Sequence, residues 1–158
     1  MEYVLDSSAI LTGSQFAGEL LTVPQVLEEI RRRGLTLEEE IFVEQRVRVF
    51  TAEEAARAII TAAARRTGDD ARLSPTDAEL LALAVERKAT LVTDDYAIQN
   101  VARVVGVPFV SVAQSGIRKV IQWYHRCSGC ARYFDGPQKE CPVCGSPVRT
   151  TRRAPQVP

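Results

Sequence analysis

Short apolar segments alternate with helical patterns along most of the chain. The segment YVL at 3–5 predicts a first strand, and we expect a helix to follow it as far as about Leu21. Apolar and charged residues alternate in FVEQRVRVF at 42–50, which predicts a second strand. ATLVT at 89–93 and VPFVSV at 107–112 predict a third and a fourth strand. Strands that alternate with helices in this way indicate an α/β fold around a parallel sheet.

Apolar residues at helical spacing predict the helices between these strands. The clearest start is at Ser74, whose side chain can cap a helix that has Pro75 at its first position. A second start is marked by Thr51 with Glu54 three residues later, which is the pattern of a capping box. The expected helices span 23–33, 51–66, 74–88 and 95–105.

The formal net charge of zero conceals two oppositely charged parts of the chain. Residues 1–116, the body, contain 12 Lys and Arg against 18 Asp and Glu, which is a net charge of −6. Residues 117–158 contain 8 against 2, which is a net charge of +6. An acidic body followed by a basic segment suggests two separate tasks, and a basic segment that is simply solvated is the alternative.

Composition and the N-terminal sequence indicate a globular protein that is neither secreted nor inserted in a membrane. With 46% hydrophobic and 25% charged residues, the chain is typical of globular proteins. No apolar run reaches the roughly 18 residues that a membrane span needs. The N-terminal segment carries Glu2 and lacks the basic region of a signal peptide. We therefore expect a cytoplasmic protein that has no contact with a membrane.

All four cysteines lie in the basic segment, as two C-x-x-C pairs separated by ten residues. In a reducing compartment such pairs bind metal far more often than they form disulfides, which are the alternative. Four thiolates complete a tetrahedral shell around Zn²⁺ and leave no open position, so we expect a structural zinc ribbon whose folding depends on the metal. The expected zinc ligands are Cys127, Cys130, Cys141 and Cys144.

Several acidic residues lie where predicted strands end or predicted helices begin. In a parallel sheet these positions share the edge where ligands bind. Carboxylates crowded there repel one another unless a cation neutralises them, and without matching histidines they suit Mg²⁺ or Mn²⁺. Such an ion activates water and holds the oxygens of a phosphodiester during in-line displacement. The acids concerned are Asp6, Glu28, Glu29, Asp77, Asp94 and Asp95.

Each of these acids also has a structural explanation, as a turn residue, a helix cap or part of a solvated helix face. Their expected position at one edge of the sheet favours a shared metal site over these separate structural explanations. Other chemistries are excluded more directly. His125 is the only histidine, which excludes a two-histidine ribonuclease mechanism, and no glycine-rich phosphate loop follows any predicted strand.

Four motifs resemble the PIN nuclease domain in their order and spacing: VLDSSAIL at 4–11, VLEEI at 26–30, SPTDAELLALA at 74–84 and LVTDDYAIQN at 91–100. Together with the cysteine segment, they resemble PIN-domain endoribonucleases with a C-terminal zinc ribbon that mature small-subunit ribosomal RNA. The resemblance implies a three-layer fold, with a central parallel sheet flanked by helices and a small ribbon behind it. The expected parts are a PIN domain at 1–116, a linker at 117–125, the ribbon at 126–150 and a flexible tail at 151–158.

The resemblance also implies roles for particular residues. The catalytic residues it assigns are Asp6, Glu29, Asp77 and Asp95, of which Asp6, Asp77 and Asp95 would hold Mg²⁺ or Mn²⁺. The T-x-D pattern after the third strand selects Asp95, whereas Asp94 falls at a variable position. The weaker candidates are Ser8, Glu28, Thr93 and Asp94.

Basic and aromatic side chains near the cysteines are candidates for RNA contact, with a steep dependence on salt. Trp123 and Tyr124 can stack on unpaired bases or pack between the body and the ribbon. Tyr133 and Phe134 can stack on bases or form the core of the ribbon. The candidate RNA-binding residues are Arg118, Lys119, Arg126, Arg132, Lys139 and Arg149.

The resemblance therefore implies a divalent-metal-dependent single-strand endoribonuclease that matures the 3′ end of precursor small-subunit (16S) rRNA. Its expected partners are that RNA and the pre-ribosomal small subunit with its assembly factors. The alternatives are a toxin-type PIN ribonuclease, a catalytically inactive RNA-binding assembly factor and a zinc-ribbon adaptor for proteins. A nuclease assay separates the rRNA-maturing endoribonuclease and the toxin-type ribonuclease, which both cut RNA, from the inactive assembly factor and the adaptor. The identity of the RNA that is cut then separates the two nucleases from each other.

Overall fold

A parallel sheet flanked by helices forms the body of the molecule, and a small antiparallel sheet follows it. The computed structural model describes residues 1–13, 16–113, 116, 119–152 and 154. The helices are α1 Ser7–Leu11, α2 Pro24–Arg33, α3 Leu37–Arg46, α4 Glu54–Thr67, α5 Pro75–Arg87 and α6 Tyr96–Val105. The strands of the body are β1 Glu2–Leu5, β2 Glu19–Thr22, β3 Val47–Val49, β4 Thr90–Val92 and β5 Phe109–Val110. Those that follow are β6 Tyr124–Cys127, β7 Tyr133–Phe134 and β8 Val148–Thr151.

The five strands of the body are arranged in the order β3-β2-β1-β4-β5, and all neighbouring pairs are parallel. The central strands β1 and β4 are apolar because both faces of the sheet are covered, and Val4, Leu5, Leu91 and Val92 have no exposed surface. The predicted α/β fold, with a parallel sheet flanked by helices and a cysteine-rich unit behind it, is confirmed.

The helix that we expected up to Leu21 is wrong. Helix α1 ends at Leu11, and Gly13 adopts a left-handed conformation (φ 61°) just beyond it. The segment ELLT then forms β2, which pairs with β1 on one side and β3 on the other. A short apolar run does not distinguish strand from helix by its pattern, and burial between two strands decides its conformation.

The second predicted strand, at 42–50, is also largely wrong. Most of it belongs to α3, and only Val47–Val49 forms a strand, at the edge of the sheet. A capping box marks the true start of the helix, since the Thr36 hydroxyl accepts from Glu39 N at 3.3 Å and Glu39 Oε2 accepts from Thr36 N at 2.8 Å. This local interaction overrides the alternating pattern that follows it.

The predicted cap of the next helix is wrong as well, whereas α2, α5 and α6 are confirmed. Helix α4 begins at Glu54, and no side chain caps it. The backbone N–H groups that precede it are bound by acids of α5: Ala52 N donates to Glu79 Oε1 at 2.8 Å, and Glu53 N donates to Glu86 Oε2 at 2.7 Å. The N-terminal end of α4 is therefore satisfied by a neighbouring helix.

The antiparallel sheet has the order β7-β6-β8, with Cys127 at the end of β6 and the other three cysteines in the loops between the strands. Its first strand begins at Tyr124 and includes His125, two residues that the sequence analysis placed in a linker. Of the predicted tail, Thr151 lies in β8, and 153 and 155–158 lie outside the described residues. Throughout the described chain, every helix is too short or too polar to cross a lipid bilayer.

Candidate active site and metal centre

Strands β1 and β4 are neighbours, and their register places the residues that follow them side by side. Leu5 pairs with Val92, so Asp6 and Thr93 lie next to each other at the carboxyl edge of the sheet. The Thr93 hydroxyl donates to Asp6 Oδ2 at 2.8 Å and accepts from the backbone N–H of Asp95 at 3.1 Å. One fully buried hydroxyl therefore joins the two strand ends that carry predicted catalytic acids.

Asp6 and Asp95 each cap the helix that follows their strand. Asp6 Oδ1 accepts from Ser7 N at 2.5 Å at the start of α1, and Asp95 Oδ1 accepts from Ala97 N at 2.6 Å and Ile98 N at 3.2 Å at the start of α6. These bonds hold both carboxylates in fixed orientations at the edge of the sheet. The positive ends of the helix dipoles also favour negative charge at these positions.

Asp77 reaches the same edge from the N-terminal end of α5. It forms a capping box with Ser74, in which Asp77 Oδ2 accepts from Ser74 N at 2.8 Å and Ser74 Oγ accepts from Asp77 N at 3.2 Å. Burial raises the pKa of Asp77, the hydrogen bonds with Ser74 oppose this shift, and the negative charges of Asp95 and Asp6 add to it. Three carboxylates therefore repel one another here, and a divalent cation would relieve the repulsion.

The remaining acidic candidates do not cap any of the helices that begin at this edge. Glu28 and Glu29 are both on the exposed face of α2, where Glu28 pairs with Arg32 at 3.9 Å. No hydrogen bond or ion pair joins Glu29 to another described residue. Its catalytic role stays a prediction. Asp94 instead binds the segment after β5.

The contacts of Asp94 indicate a structural role. Its Oδ1 accepts from Ser111 Oγ at 2.5 Å, from Val112 N at 2.9 Å and from Ala113 N at 3.1 Å. A carboxylate with this many donors holds the end of β5 beside β4. The two adjacent aspartates thus have different surroundings, since Asp95 caps a helix beside Asp6 and Asp94 fixes a loop.

The residues at the sheet edge fit a hydrated hard cation. The available donors are carboxylate oxygens, which Mg²⁺ and Mn²⁺ prefer. Ser8, just after Asp6, has a buried hydroxyl with no hydrogen-bond partner among the described residues, and such a group suggests a missing ligand. No three carboxylates in the described chain gather as closely as the cysteine thiols do.

The four cysteines form a second, separate cluster. Their sulfur atoms lie within 4.8 Å of one another, with 3.4 Å between Cys127 and Cys144 and 3.6 Å between Cys130 and Cys141. Tetrahedral zinc with Zn–S distances of about 2.3 Å requires sulfur atoms roughly 3.8 Å apart. The cluster therefore fits a structural Zn²⁺ without rearrangement of the backbone.

Hydrogen bonds shape the turns that carry the cysteines. Gly129 N and Cys130 N donate to Cys127 Sγ at 3.3 and 3.4 Å. The side chain and the backbone of Ser146 lower the pKa of Cys144 to about 6 through hydrogen bonds. A side chain at Gly129 would collide with Ser146, so the first turn requires glycine.

The candidate RNA-binding residues have varied surroundings. Arg118 lies outside the described residues. Arg126 and Arg149 face each other on β6 and β8, and Arg126 lies 5.9 Å from the Tyr133 ring. Tyr124 and Tyr133 pack edge to face with their ring centroids 6.3 Å apart, as expected of a small core. The exposed candidates are Lys119, Arg132, Lys139 and Arg149.

Comparison with known proteins identifies the class of the molecule. A family model described as the PIN domain of ribonuclease matches residues 3–86, the part of the chain that contains Asp6, Glu29 and Asp77. The chain belongs to the family of PIN-domain ribonucleases, and it is accordingly a nuclease. Members of this family use divalent metal ions.

The relatives extend this similarity over the whole chain. Endoribonuclease Nob1 of Pyrococcus abyssi is 40% identical over 156 residues, which cover 97% of this chain and 95% of the relative. Endoribonuclease Nob1 of Methanothermobacter thermautotrophicus is 38% identical, covering 94% and 91%. Ribonuclease VapC1 of Thermoplasma acidophilum is 38% identical, covering 94% and 77%. The predicted resemblance to a PIN endoribonuclease with a C-terminal ribbon, the archaeal Nin-one-binding (Nob) protein, is thereby confirmed.

A solved structure supports the fold alone. A PilT N-terminus domain protein of Sulfolobus solfataricus superposes with a TM-score of 0.50 at 17% identity, covering 75% of this chain and 100% of the other.

Asp77→Asn should stabilise the fold at neutral pH in buffer without Mg²⁺ or Mn²⁺. Because the pKa of Asp77 is raised in the folded state, its favourable contribution is complete at low pH and is lost as the pH rises through that raised pKa. Thermal unfolding should give a higher midpoint for Asp77→Asn than for the wild type at pH 7, and the difference should disappear near pH 4. Asn retains an acceptor for Ser74 N. A loss of stability at pH 7 in Asp77→Asn would contradict the expectation.

Removal of zinc should unfold the ribbon and leave the body folded. The segment has too small a core to fold without the metal, whose binding to such sites provides roughly 10–16 kcal/mol. Amide resonances of 124–151 should collapse on chelation, whereas those of β1 and β4 should persist. Cys130→Ser should lose bound zinc, and Ser128→Ala, which removes only a hydroxyl that donates to Pro147 O, should retain it. Full zinc content in Cys130→Ser would argue against the four-thiolate site.

Proposed function

We propose that this nuclease is a divalent-metal-dependent single-strand endoribonuclease that matures the 3′ end of precursor small-subunit (16S) rRNA. It acts in the cytoplasm on the pre-ribosomal small subunit, among its assembly factors. The observation that carries the proposal is the arrangement of Asp6, Asp77 and Asp95 at one sheet edge in a chain that also ends in a four-thiolate ribbon. The Nob1 endoribonucleases match both parts of the chain.

The three aspartates would hold the ion, which would supply an activated water and neutralise charge on the phosphodiester. The protein contributes orientation. Thr93 fixes Asp6 relative to Asp95, and the helix caps prevent either carboxylate from turning away. Asp77 holds its proton to a higher pH than an ordinary aspartate, so metal binding and loss of that proton are coupled.

The ribbon offers a place for the phosphate backbone of RNA. Arg126 and Arg149 are directly opposite each other on antiparallel strands, beside a groove of about 310 Å³ that is also lined by Ser128 and Thr151. Like charges in directly opposite positions destabilise a sheet. No salt bridge between described residues neutralises either arginine, so an RNA phosphate would relieve their repulsion.

A toxin-type ribonuclease is the second candidate function. It is favoured by Ribonuclease VapC1, whose similarity covers 94% of this chain and therefore extends beyond the PIN domain. The presence of a ribbon thus does not by itself separate the two functions. The RNA that is cut decides between them. Mapping of product ends after incubation with a small-subunit precursor transcript and with mature transfer and messenger RNAs would show which is preferred.

Asp6→Asn should lower Mg²⁺- or Mn²⁺-dependent cleavage of a small-subunit precursor transcript by roughly 100-fold or more, because a metal ligand loses its charge. Asn still caps α1, so the fold should be retained. The measurement is the initial rate of product formation on denaturing gels. Wild-type activity in this variant would reject the assignment.

Glu29→Gln tests the one predicted catalytic acid for which the structure shows no hydrogen bond at a helix start. If Glu29 takes part in catalysis with bound RNA, this variant should lose at least roughly 10-fold in rate, on the scale of outer-sphere effects at metal sites. Glu28→Gln is the matched control, because it lies next to Glu29 on the same exposed face of α2. Equal rates for both variants and the wild type would remove Glu29 from the catalytic set.

Replacement of Arg126 and Arg149 by Gln should weaken RNA binding and make it less sensitive to salt. Each lost phosphate contact should reduce the slope of log K against log salt by roughly 0.7 for single-stranded RNA. Fluorescence anisotropy with labelled single-stranded RNA, over a series of KCl concentrations and without Mg²⁺, gives the slope. Arg46→Gln, on the exposed surface of α3, is the control and should leave the slope unchanged. An unchanged slope in the double variant would place the RNA elsewhere.

A further inference from the structure

A groove with mostly apolar walls lies between the second half of α4 and the start of α5. Its apolar walls include Ile60 and Ala64 of α4, Leu73 of the loop between the helices, and Ala78 of α5. Its volume is about 190 Å³. A cavity of roughly 150 Å³ is enough to hold one benzene ring. The groove therefore has room for one six-membered ring and little more.

The groove begins beside the candidate active site. Ser74 is part of its lining, and the Ser74 hydroxyl accepts from the backbone N–H of Asp77 at 3.2 Å. The same two residues form the capping box that fixes Asp77 at the sheet edge. A ligand that fills the groove would therefore lie next to one of the three predicted metal ligands.

Two neighbouring acids in the loop after α4 have different surroundings. Asp69 has no exposed surface, and its Oδ2 accepts from Thr67 Oγ1 at 2.7 Å and from Asn100 Nδ2 at 2.6 Å. Asp70 is only partly buried and lines the groove. Its Oδ1 lies 3.9 Å from His125 Nε2, which is too far for a hydrogen bond. The structure thus builds Asp69 into the body and leaves the Asp70 carboxylate as an acceptor at the groove.

A second acceptor lines the groove from α4. The Thr61 hydroxyl donates its hydrogen to the carbonyl oxygen of Arg57 at 3.0 Å, so its oxygen can only accept a further hydrogen bond. Together with Asp70, it favours a ligand whose edge carries hydrogen-bond donors. Arg65 follows Thr61 by four positions on the same face of α4 and is exposed, so a cation is available for a neighbouring phosphate.

A carboxylate in this position lowers the affinity of the body for RNA, because it repels phosphates. It is useful only if it distinguishes one base from another. Cytosine and uracil have the same size and differ where cytosine carries an amino group and uracil carries a carbonyl oxygen. A carboxylate accepts from the amino group and repels the carbonyl oxygen. The volume of the groove favours these single-ring bases over purines.

We propose that the groove between α4 and α5 is a subsite for one unpaired cytosine of the RNA, and that Asp70 is its specificity-determining residue. The ring packs against the apolar walls, and Asp70 accepts a hydrogen bond from its amino group. Proteins read single-stranded RNA through such contacts to the edges of unstacked bases. The inference rests on the proposed function for its RNA substrate and adds a preference for sequence to it.

Binding is tested with the nucleosides cytidine and uridine, which lack a phosphate and so do not report on the arginines. They are titrated into the zinc-loaded full chain without Mg²⁺ or Mn²⁺, and amide chemical shifts are followed. Cytidine should shift amides of 60–64 and 70–78 and bind at least roughly 10-fold more tightly than uridine, as expected of a hydrogen bond to a charged group. In Asp70→Asn the two nucleosides should bind alike, because an amide both donates and accepts.

Cleavage is tested with oligouridine strands that carry one cytidine at successive positions. The wild type should cut at a fixed distance from the cytidine, at least roughly 10-fold faster than it cuts the strand without cytidine. Asp70→Asn should abolish this dependence. Glu54→Gln, at the other end of α4, removes the same charge from the body and should retain it. Thr61→Leu fills the groove from an exposed position and should also abolish it.

The outcomes separate the subsite from the proposed function. Equal binding of cytidine and uridine by the wild type, tighter binding of adenosine or guanosine, or a cytidine preference that survives in Asp70→Asn would overturn the inference. Cleavage of the strands without regard to cytidine would also overturn it and would leave the nuclease function intact. Failure of the wild type to cut any RNA would count against the proposed function, and the nucleoside titration would still judge the subsite.

Discussion

The parallel pairing of β1 with β4 is the constraint on which the candidate active site depends. Its register brings the ends of two strands that are far apart in sequence to adjacent positions, and Thr93 donates to Asp6 only because of it. The helices that follow these strands must then begin at the same edge. Any shift of one residue in this pairing would turn Thr93 away from Asp6, since alternate residues of a strand point to opposite faces.

Capping and metal binding are compatible roles for the acids at this edge. Asp6, Asp77 and Asp95 all accept hydrogen bonds from backbone N–H groups at helix starts, so the structural explanation that the sequence left open applies to each of them. The parallel fold brings the helix starts to one edge, but it does not require an aspartate at each of them. Burial raises the pKa of Asp77 and the charges of Asp95 and Asp6 add to this shift, so a fold without use for a cation would gain from removing one of the charges.

Interactions between residues close in sequence were the most predictable part of the molecule. The Ser74 cap and the two cysteine pairs follow from local chemistry, and the structure contains them. The conformation of the β2 segment is ambiguous in sequence, because four residues are too few to show the spacing of apolar residues that distinguishes a strand from a helix. The start of α3 is marked only by the capping box at Thr36, whereas the alternation of apolar and charged residues that follows it is typical of a strand. Asn100 and Asp69 could not be foreseen, since their partnership spans 31 positions and exists only once α4, α6 and the linker meet.

The distribution of charge along the chain separates the candidate catalytic part from the candidate RNA-binding part. The body, with a net charge of −6, repels the polyanionic RNA that its acids must reach, whereas the segment from 117 onward carries +6. Attraction between charges in solution decays over roughly 8–10 Å at physiological salt, so the basic segment offsets this repulsion only for RNA that lies within that distance of it. Binding by the basic part and cutting by the acidic part therefore make opposite electrostatic demands, and the sequence meets them by placing the two kinds of charge in different segments.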